Sequence, residues 1–311
     1  MQLEKFDELV KRMQIHPSML SQGAGLLAYR NKCTKEDIYM AKEIVRGNIA
    51  RSSIGKMPKI LIFDIETAPL KAFVWNLWKE NIPLDRIISD YFIICWSAKW
   101  LYAPEVMSDC LTPEEIFAED DSRIIKRLHE LIDAADVVVT HNGNRFDIPR
   151  INTRFIVNGL NPPAPYFSVD TCAVARKQFG FSSNKLDALA KYLGYSPKLE
   201  TNFDLWRRCL EGDEEALNYM VKYNKRDVTL LEEVYIKLKP WIKGHPNYGV
   251  FLDSSEPSCS NCGSDKLERI PNKFYYTQFN KYPLFRCTDC GAVVRGRKGI
   301  KVDVSTTGNL H

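Results

Sequence analysis

Hydrophobic positions in the middle of the chain change repeatedly between strand-like runs and helix-like periodicity. The strand-like runs are "KILIFDIE", "YFIICWSAKWL", the weaker "EVMSDC", "DVVVTHN" and "YFSVDT". Amphipathic helices are predicted for "DSRIIKRLHELIDAA" and "IPRINTRFIVNGL", and a helix-rich tail begins at Cys172. Three strands, a helix, a fourth strand, a helix and a fifth strand predict an α/β fold with carboxylates near strand ends.

The same pattern divides the chain into three parts. Residues 1–50 are predicted to be helical and to serve packing or dimerisation, with a helix-turn-helix as the alternative. A linker-like stretch, "ARSSIGKMP", precedes the α/β domain at 58–240. Residues 257–301 contain paired cysteines in a segment too short for an ordinary hydrophobic core, so it needs a staple.

Composition and charge add few restrictions. The 311 residues carry a formal net charge of +4, which permits a polyanionic partner without requiring one. No apolar run is long enough to cross a bilayer, and "MQLEKFDELVKRM" is typical of an amphipathic charged helix rather than a signal peptide. We therefore expect a cytoplasmic protein with no membrane partner.

Acidic residues interrupt the apolar pattern at two strand ends. Asp64 and Glu66 lie two apart on a predicted strand, so their side chains leave the same face and repel each other unless a cation lies between them. A capped strand end is the alternative. Asp147 begins a predicted helix, where an N-cap would explain it. The nearby Asn142 and Phe146 indicate a functional site in addition to a cap, since an amide and an aromatic ring beside an acid could hold a nucleotide.

A third acidic position follows on a late helix. Tyr223 and Asp227 are four residues apart and share one helical face, which alone indicates a solvated surface. The order of the three positions carries more information. The motifs "DIET", "HNGNRFD" and "YNKRD" together resemble those of the DEDD exonucleases of the RNase H-like (DnaQ-like) superfamily. Tyrosine in the third motif resembles the DEDDy branch, and the second motif resembles the proofreading domains of family B DNA polymerases and their stand-alone relatives.

The resemblance covers about residues 58–240 and implies a free-standing 3′–5′ exonuclease with an RNase H-like, five-stranded mixed sheet flanked by helices. Such hydrolysis uses two divalent ions roughly 4 Å apart, and Mg²⁺ or Mn²⁺ prefers oxygen ligands. The implied metal ligands are Asp64, Glu66, Asp147 and Asp227. Tyr223 would orient the attacking water, and Asn142 and Phe146 would hold the terminal nucleotides.

Two cysteine pairs near the carboxyl end predict a separate metal site. Cys259 with Cys262, and Cys287 with Cys290, each have two residues between them, a spacing that lets both thiolates reach one ion. The segment resembles a zinc ribbon, with one structural Zn²⁺ closed by four sulfurs. Unligated thiols or a redox pair are the alternatives.

Basic residues interleaved with aromatic ones surround the second cysteine pair. This composition is typical of a surface that binds single-stranded nucleic acid, although some of the rings must pack the small core of the ribbon and a protein-docking surface is the alternative. The candidate contacts are Lys273, Tyr275, Arg295, Arg297 and Lys298.

These patterns lead to one main hypothesis and three rivals. We expect a metal-dependent 3′–5′ exonuclease acting on single strands or 3′ ends, with DNA preferred because the second motif resembles that of polymerases. A replication or repair protein is the candidate protein partner. The rivals are an exoribonuclease, a structure-selective endonuclease, and a nucleic-acid-binding module without catalysis.

Four further residues receive structural interpretations. Trp75 and Trp78 have the spacing of one helical face, and core packing is the expectation, with a substrate-facing wall as the alternative. Asp170 is expected to cap the helix that follows it. His141 is expected to be a strand-end histidine rather than a catalytic base.

Overall fold

The computed structural model describes residues 3–15, 19, 22, 24–33, 35–45, 57–252 and 256–300. The chain divides into two compact units. One contains Lys59–Leu101 and Glu105–Lys237; the other draws on the described residues within Met1–Pro58, Tyr102–Pro104 and Leu238–His311. The predicted linker lies largely outside the described residues, and the domain boundaries expected from the sequence remain predictions.

Strands and helices alternate along the described residues. The strands are β1 (Ile60–Thr67), β2 (Lys71–Ala72), β3 (Ile87–Ser89), β4 (Ile93–Trp100), β5 (Met107–Cys110), β6 (Val137–Thr140), β7 (Phe167–Asp170), β8 (Leu267–Tyr276), β9 (Lys281–Cys287) and β10 (Val293–Arg295). The helices are α1 (Leu3–Ile15), α2 (Ala24–Asn31), α3 (Lys35–Val45), α4 (Pro113–Ala118), α5 (Ser122–Asp133), α6 (Asp147–Val157), α7 (Thr171–Gln178), α8 (Leu186–Leu193), α9 (Phe203–Leu210), α10 (Glu214–Leu238) and α11 (Tyr248–Phe251).

A five-stranded mixed sheet of order β5-β4-β1-β6-β7 forms the centre of the first unit. β1 pairs antiparallel with β4 and parallel with β6, and β6 pairs parallel with β7. The first four residues of β1 are all buried, as expected for a central strand covered on both faces. The predicted α/β fold with a five-stranded mixed sheet is confirmed.

A buried ion pair joins the sheet to two of its helices. Asp121, fully buried at the start of α5, accepts hydrogen bonds from Arg154 at 2.7 and 2.8 Å and from the backbone N–H of Ile93 at 2.9 Å. A charged group removed from water is stabilised by an opposite charge, so the Asp121 carboxylate and the Arg154 guanidinium stabilise each other. The pair fixes α6, which carries part of the candidate site, against β4.

The predicted helix containing Trp75 and Trp78 is wrong. The segment forms the short antiparallel pair β2–β3 and a connecting loop, and the two indoles are 82% and 83% exposed. The carboxylate of Glu80 accepts the backbone N–H groups of Trp75 and Asn76 and contacts Arg86. In a helix these two N–H groups would donate to backbone carbonyls four residues earlier. Their bonds to Glu80 instead hold the segment in a loop.

The second unit contains α1 to α3 and the cysteine-rich segment. Apolar side chains of the three helices pack together, among them Phe6, Val10, Leu27 and Ile38. The role expected for this helical segment, packing, dimerisation or a helix-turn-helix, remains a prediction. Near the carboxyl end, β8, β9 and β10 form a three-stranded antiparallel sheet. None of the helices in the described part of the chain combines the length and apolar content needed to span a bilayer.

Candidate active site and cysteine centre

Sheet topology brings three strand ends to one edge. Because β1, β6 and β7 are parallel, their carboxyl ends lie on the same side of the sheet. Glu66 lies near the end of β1, Asn142 follows β6, and Asp170 ends β7. Polar residues far apart in sequence therefore meet at this edge.

Four carboxylates, called here the acid cluster, come together at this edge: Asp64, Glu66, Asp147 and Asp227. Oxygen atoms of Asp64, Glu66 and Asp227 all lie within 4.8 Å of one another. Asp147, at the start of α6, is 3% exposed, and its carboxylate accepts the backbone N–H of Ile65. The structure thus gathers all four acids that the sequence singled out.

Burial and mutual repulsion make this cluster reluctant to carry negative charge. Burial, followed by the charge of Asp227, raises the pKa of Glu66 to about 8. Burial likewise raises the pKa of Asp147 to about 7. The pKa of Asp64 is raised by burial and then by Asp147, and that of Asp227 is raised by burial. A cation bound among the four oxygen groups would remove this penalty.

The donor set fits a divalent cation. Asp227 Oδ1 is buried and has no hydrogen-bond partner among the described residues, so one oxygen is left to accept a ligand. Hard cations such as Mg²⁺ and Mn²⁺ prefer carboxylate oxygens. The cluster is therefore compatible with divalent metal binding.

Lys198 and Asn224 also belong to the site, and the motif reasoning did not single them out. The Lys198 ammonium contacts Asp227 Oδ2. Burial lowers the pKa of Lys198, but Asp227 and Asp64 outweigh that effect and raise it overall. Asn224 Nδ2 donates to Asp64 Oδ2 at 2.7 Å. Asn224 lies inside the third motif, which was a usable signal; Lys198 lies in the loop between α8 and α9, where no periodic pattern marks it.

Tyr223 lies one helical turn before Asp227 on α10. Its ring packs partly buried against the sheet core, and a hydrogen bond from Tyr223 acts to lower the pKa of Asp227. Burial and the charge of Asp227 raise the pKa of the Tyr223 phenol. The hydroxyl is therefore protonated at neutral pH and can donate a hydrogen bond beside the cluster.

A tight turn presents Asn142 and Phe146. Asn142 has a left-handed backbone (φ 67°), its N–H donates to Asp170 Oδ1 at 2.8 Å, and its carbonyl accepts the N–H groups of Arg145 and Phe146, both at 3.1 Å. Asp170 also caps α7 through Cys172 and its neighbour, so the predicted cap is confirmed. Asp170 thereby sets the position of the turn as well as that of the helix.

Two other predictions concern neighbours of this turn. Phe146 is half-buried, and the guanidinium carbon of Arg150 lies 3.7 Å from its ring centroid. Its role as a base-stacking ring remains a prediction. Burial lowers the pKa of His141 to about 4, and its ring nitrogens lie 2.8 Å from Thr171 Oγ1 and 2.9 Å from the Asn184 carbonyl. These contacts agree with a structural histidine.

The four paired cysteines form a second cluster. Their sulfur atoms all lie within 4.8 Å of one another, and the Cys259–Cys290 and Cys262–Cys287 sulfurs are 3.7 and 3.6 Å apart. The N–H groups of Gly263 and Gly291 donate to the carbonyls of Cys259 and Cys287, and both glycines have positive φ, as tight knuckle turns require. Four converging thiols and a three-stranded sheet fit a zinc ribbon.

The sheet of this segment carries the predicted nucleic-acid contacts. The guanidinium of Arg295 lies 5.3 Å from the ring centroid of Tyr275, which is 48% exposed, and 4.6 Å from that of Tyr282. The remaining candidates, Lys273, Arg297 and Lys298, are exposed. Nucleic-acid binding by this surface remains a prediction.

Comparison with known proteins assigns a fold to part of the chain. Residues 111–239 match the family model of the RNase H superfamily, which is consistent with a nuclease-type function. The matched span contains Asp147, Tyr223 and Asp227 and leaves Asp64 and Glu66 outside. The expectation of an RNase H-like domain is confirmed, while the tyrosine-containing branch remains a prediction.

Comparisons with solved structures and with curated proteins add two findings. The family B DNA polymerase from the hyperthermophilic archaeon Pyrobaculum calidifontis is similar at 18% identity and a TM-score of 0.46, over 74% of this chain and 33% of the polymerase. The chain thus spans about a third of that protein's length. No curated protein matches the sequence.

Proposed function

We propose that this protein is a metal-dependent 3′–5′ exonuclease that hydrolyses single-stranded nucleic acid, with DNA as its preferred substrate. The observation that carries the proposal is the acid cluster. The buried carboxylates of Asp147 and Asp227 and the half-buried ones of Asp64 and Glu66 meet at one sheet edge with raised pKa values. Acids that are largely withdrawn from water and destabilise one another have little value for folding alone. They suit a site that gathers cations around a phosphodiester.

Each residue of the cluster has a role in this proposal. Asp64, Glu66, Asp147 and Asp227 would hold two divalent ions, which when bound activate the attacking water and stabilise the leaving oxygen. Tyr223 would hold the water by a hydrogen bond from its protonated hydroxyl. The turn at 142–146 would hold the terminal nucleotides through Asn142 and Phe146.

Direction and substrate rest on motif resemblance. The resemblance of the three motifs to those of the DEDD exonucleases supports 3′–5′ polarity, and the tyrosine of "YNKRD" favours an exonuclease over an endonuclease. The motif "HNGNRFD" supports DNA over RNA because it resembles the second motif of polymerases. RNA is the closest rival, since discrimination depends on contacts to the 2′-OH. The cysteine centre would hold one structural Zn²⁺, and the adjoining basic and aromatic surface would bind the strand.

The test uses single-stranded DNA and RNA of one sequence, each labelled at the 5′ end, incubated with Mn²⁺. The wild-type protein should give a ladder that shortens one nucleotide at a time. Asp64→Ala should abolish the ladder, whereas Glu215→Ala, which alters an acid that is 93% exposed on α10, should preserve it. Circular single-stranded DNA should survive.

Three results would contradict this function. Cleavage of the circle would indicate an endonuclease, and a ladder from RNA alone would indicate an exoribonuclease. Binding of both strands without any cleavage would indicate a module that binds nucleic acid without catalysis.

A further inference from the structure

The segment between β1 and β4, residues 69–91, leaves the sheet beside the acid cluster. Glu66 pairs with Cys95 and Thr67 with Ile93, and the N–H of Ala68 donates to the Phe92 carbonyl at 2.9 Å. The two ends of the segment are therefore joined at the edge where Glu66 lies. We call residues 69–91 the β2–β3 arm.

The arm carries large apolar side chains into solvent. Phe73, Trp75, Leu77 and Trp78 are between 71% and 87% exposed. The arm is nevertheless ordered, because β2 pairs with β3 and the Glu80 carboxylate accepts two backbone N–H groups at 3.0 and 2.8 Å. An ordered loop that exposes several large apolar residues marks an interaction surface.

A row of rings and charge connects the arm to the acid cluster. The guanidinium carbon of Arg150 lies 5.2 Å from the ring centroid of Tyr91, the last residue of the arm, and 3.7 Å from that of Phe146. Phe146 directly precedes Asp147 of the cluster. The order along the row is thus arm, tyrosine, guanidinium, phenylalanine and acid.

Arg150 occupies a position that helix energetics disfavour. It is the fourth residue of α6, near the helix end where the backbone dipole favours anions over cations. Its Nε is buried and has no hydrogen-bond partner among the described residues. The N–H groups of Ile148 and Arg150 in the first turn of α6 already donate to the carbonyls of Gly143 and Phe146, so the guanidinium of Arg150 is the group that would contact a phosphate.

We propose that the substrate strand leaves the acid cluster along this row, with Arg150 binding a backbone phosphate and Trp75 and Trp78 stacking on bases farther from the scissile bond. One guanidinium with a ring on each side offers a charge for a phosphate and apolar faces for bases, which are the two kinds of group that a single strand presents. The row also begins at the residues that would hold the reacting phosphodiester. This inference rests on the proposed function and adds to it the path of the bound strand.

The first test measures how activity depends on strand length. Oligonucleotides from three to twenty residues, in DNA and RNA forms, are cleaved by the wild type and by the double variant Trp75→Ala/Trp78→Ala. The wild type should gain catalytic efficiency as strands lengthen, and the variant should lose that gain, by about tenfold for each lost stacking contact. Phe203→Ala, which removes a ring that is 69% exposed on α9, is the matched control. Identical length dependence in variant and wild type would overturn the path.

The second test concerns the phosphate contact. Arg150→Gln should raise KM for the long strand about tenfold with little change in kcat, and should lower the slope of log affinity against log salt by about 0.7. Arg150→Lys should restore the salt slope because the charge returns. Lys126→Gln, which alters an exposed cation on α5, controls for net charge. An unchanged salt slope in Arg150→Gln would contradict the assignment.

A binding assay separates this inference from the nuclease proposal. Fluorescence anisotropy of labelled oligonucleotides in EDTA reports strand binding without cleavage. Weakened binding by the double tryptophan variant supports the path even if the wild type cleaves nothing. Light scattering measures the oligomeric state of both proteins. If the variant binds strands as the wild type does, and the wild type is a dimer while the variant is a monomer, the arm is a surface between copies of the chain and the proposed path is wrong.

Discussion

Replacing Glu66 by glutamine should stabilise the metal-free protein at alkaline pH. Burial is the largest cause that raises the pKa of Glu66 from 4.5 to about 8. The folded state therefore binds a proton more tightly than the unfolded state does. The free energy that the proton on Glu66 contributes to stability is complete below about pH 4.5 and is lost as the pH rises through about 8.

The size of the effect follows from the same pKa. Each pKa unit corresponds to about 1.4 kcal/mol, so the change from 4.5 to about 8 corresponds to about 5 kcal/mol in full. Glu66→Gln removes the charge and keeps the shape of the side chain. In EDTA the variant should match the wild type at about pH 4 and exceed its free energy of unfolding by up to about 5 kcal/mol above about pH 8.

Divalent metal should stabilise the wild type more than it stabilises the variant. Mn²⁺ binds the deprotonated carboxylates of the folded state and stabilises it by mass action. The wild type has the full donor set and should gain more stability from Mn²⁺ than the variant gains. At alkaline pH the variant is thus the more stable protein in EDTA, and the wild type benefits more from metal.

Urea unfolding of both proteins, with and without Mn²⁺ at each pH, measures these differences. Glu215→Gln, on an acid that is 93% exposed, should show no pH-dependent difference from the wild type. If Glu66→Gln is less stable than the wild type at alkaline pH without metal, the carboxylate is a stabilising structural partner. The electrostatic account of the cluster would then be wrong.

Three other predictions follow from packing and from the cysteine centre. Gly143→Ala places a methyl group 2.2 Å from the side-chain oxygen of Thr140, so it should lower stability by about 1–3 kcal/mol and reduce nuclease activity. Gly180→Ala, with open space around the added methyl group, should change neither. Unfolding curves measure the stability and the ladder assay measures the activity. Asp121→Asn leaves a buried guanidinium uncompensated and should cost about 3–5 kcal/mol in urea unfolding, with much of the loss recovered when Arg154→Met is added. Zinc analysis should find one ion per chain and a strong loss in Cys262→Ser, and equal zinc in both proteins would argue against the four-sulfur site.

The hydrophobic pattern predicted the sheet well because a central strand that is buried on both faces is apolar along its length. The run before Asp64 is apolar at every position, as a strand covered on both faces must be. Period two placed Asp64 and Glu66 on one face, and the helical period placed Tyr223 and Asp227 on one face. Their convergence depends on which strands are parallel neighbours. Periodicity does not show which strands are neighbours in the sheet. Here the expectation that the acids converge came from the motif resemblance.

Residues that act through a single tertiary contact had no comparable signal. Lys198 lies in a loop, and its ammonium becomes part of the site only because α10 brings Asp227 to it. Arg150 is a polar position on an amphipathic helix by pattern, and its placement between two rings depends on the end of the β2–β3 arm. A charge in a sequence shows that a cation is present, whereas the fold determines which anion it meets.

The two exposed tryptophans show why an apolar pattern does not by itself predict burial. Trp75 and Trp78 have a helical spacing that suits a core, yet local bonds to Glu80 hold their backbone in a loop and both indoles face solvent. A surface that binds bases needs the same flat apolar side chains that a core needs, since both remove apolar area from water. Core and binding surface differ in what covers the side chains, and that depends on the rest of the chain or on a partner. An error of this kind in a sequence-based prediction therefore has diagnostic value, because it marks apolar residues that the fold leaves uncovered.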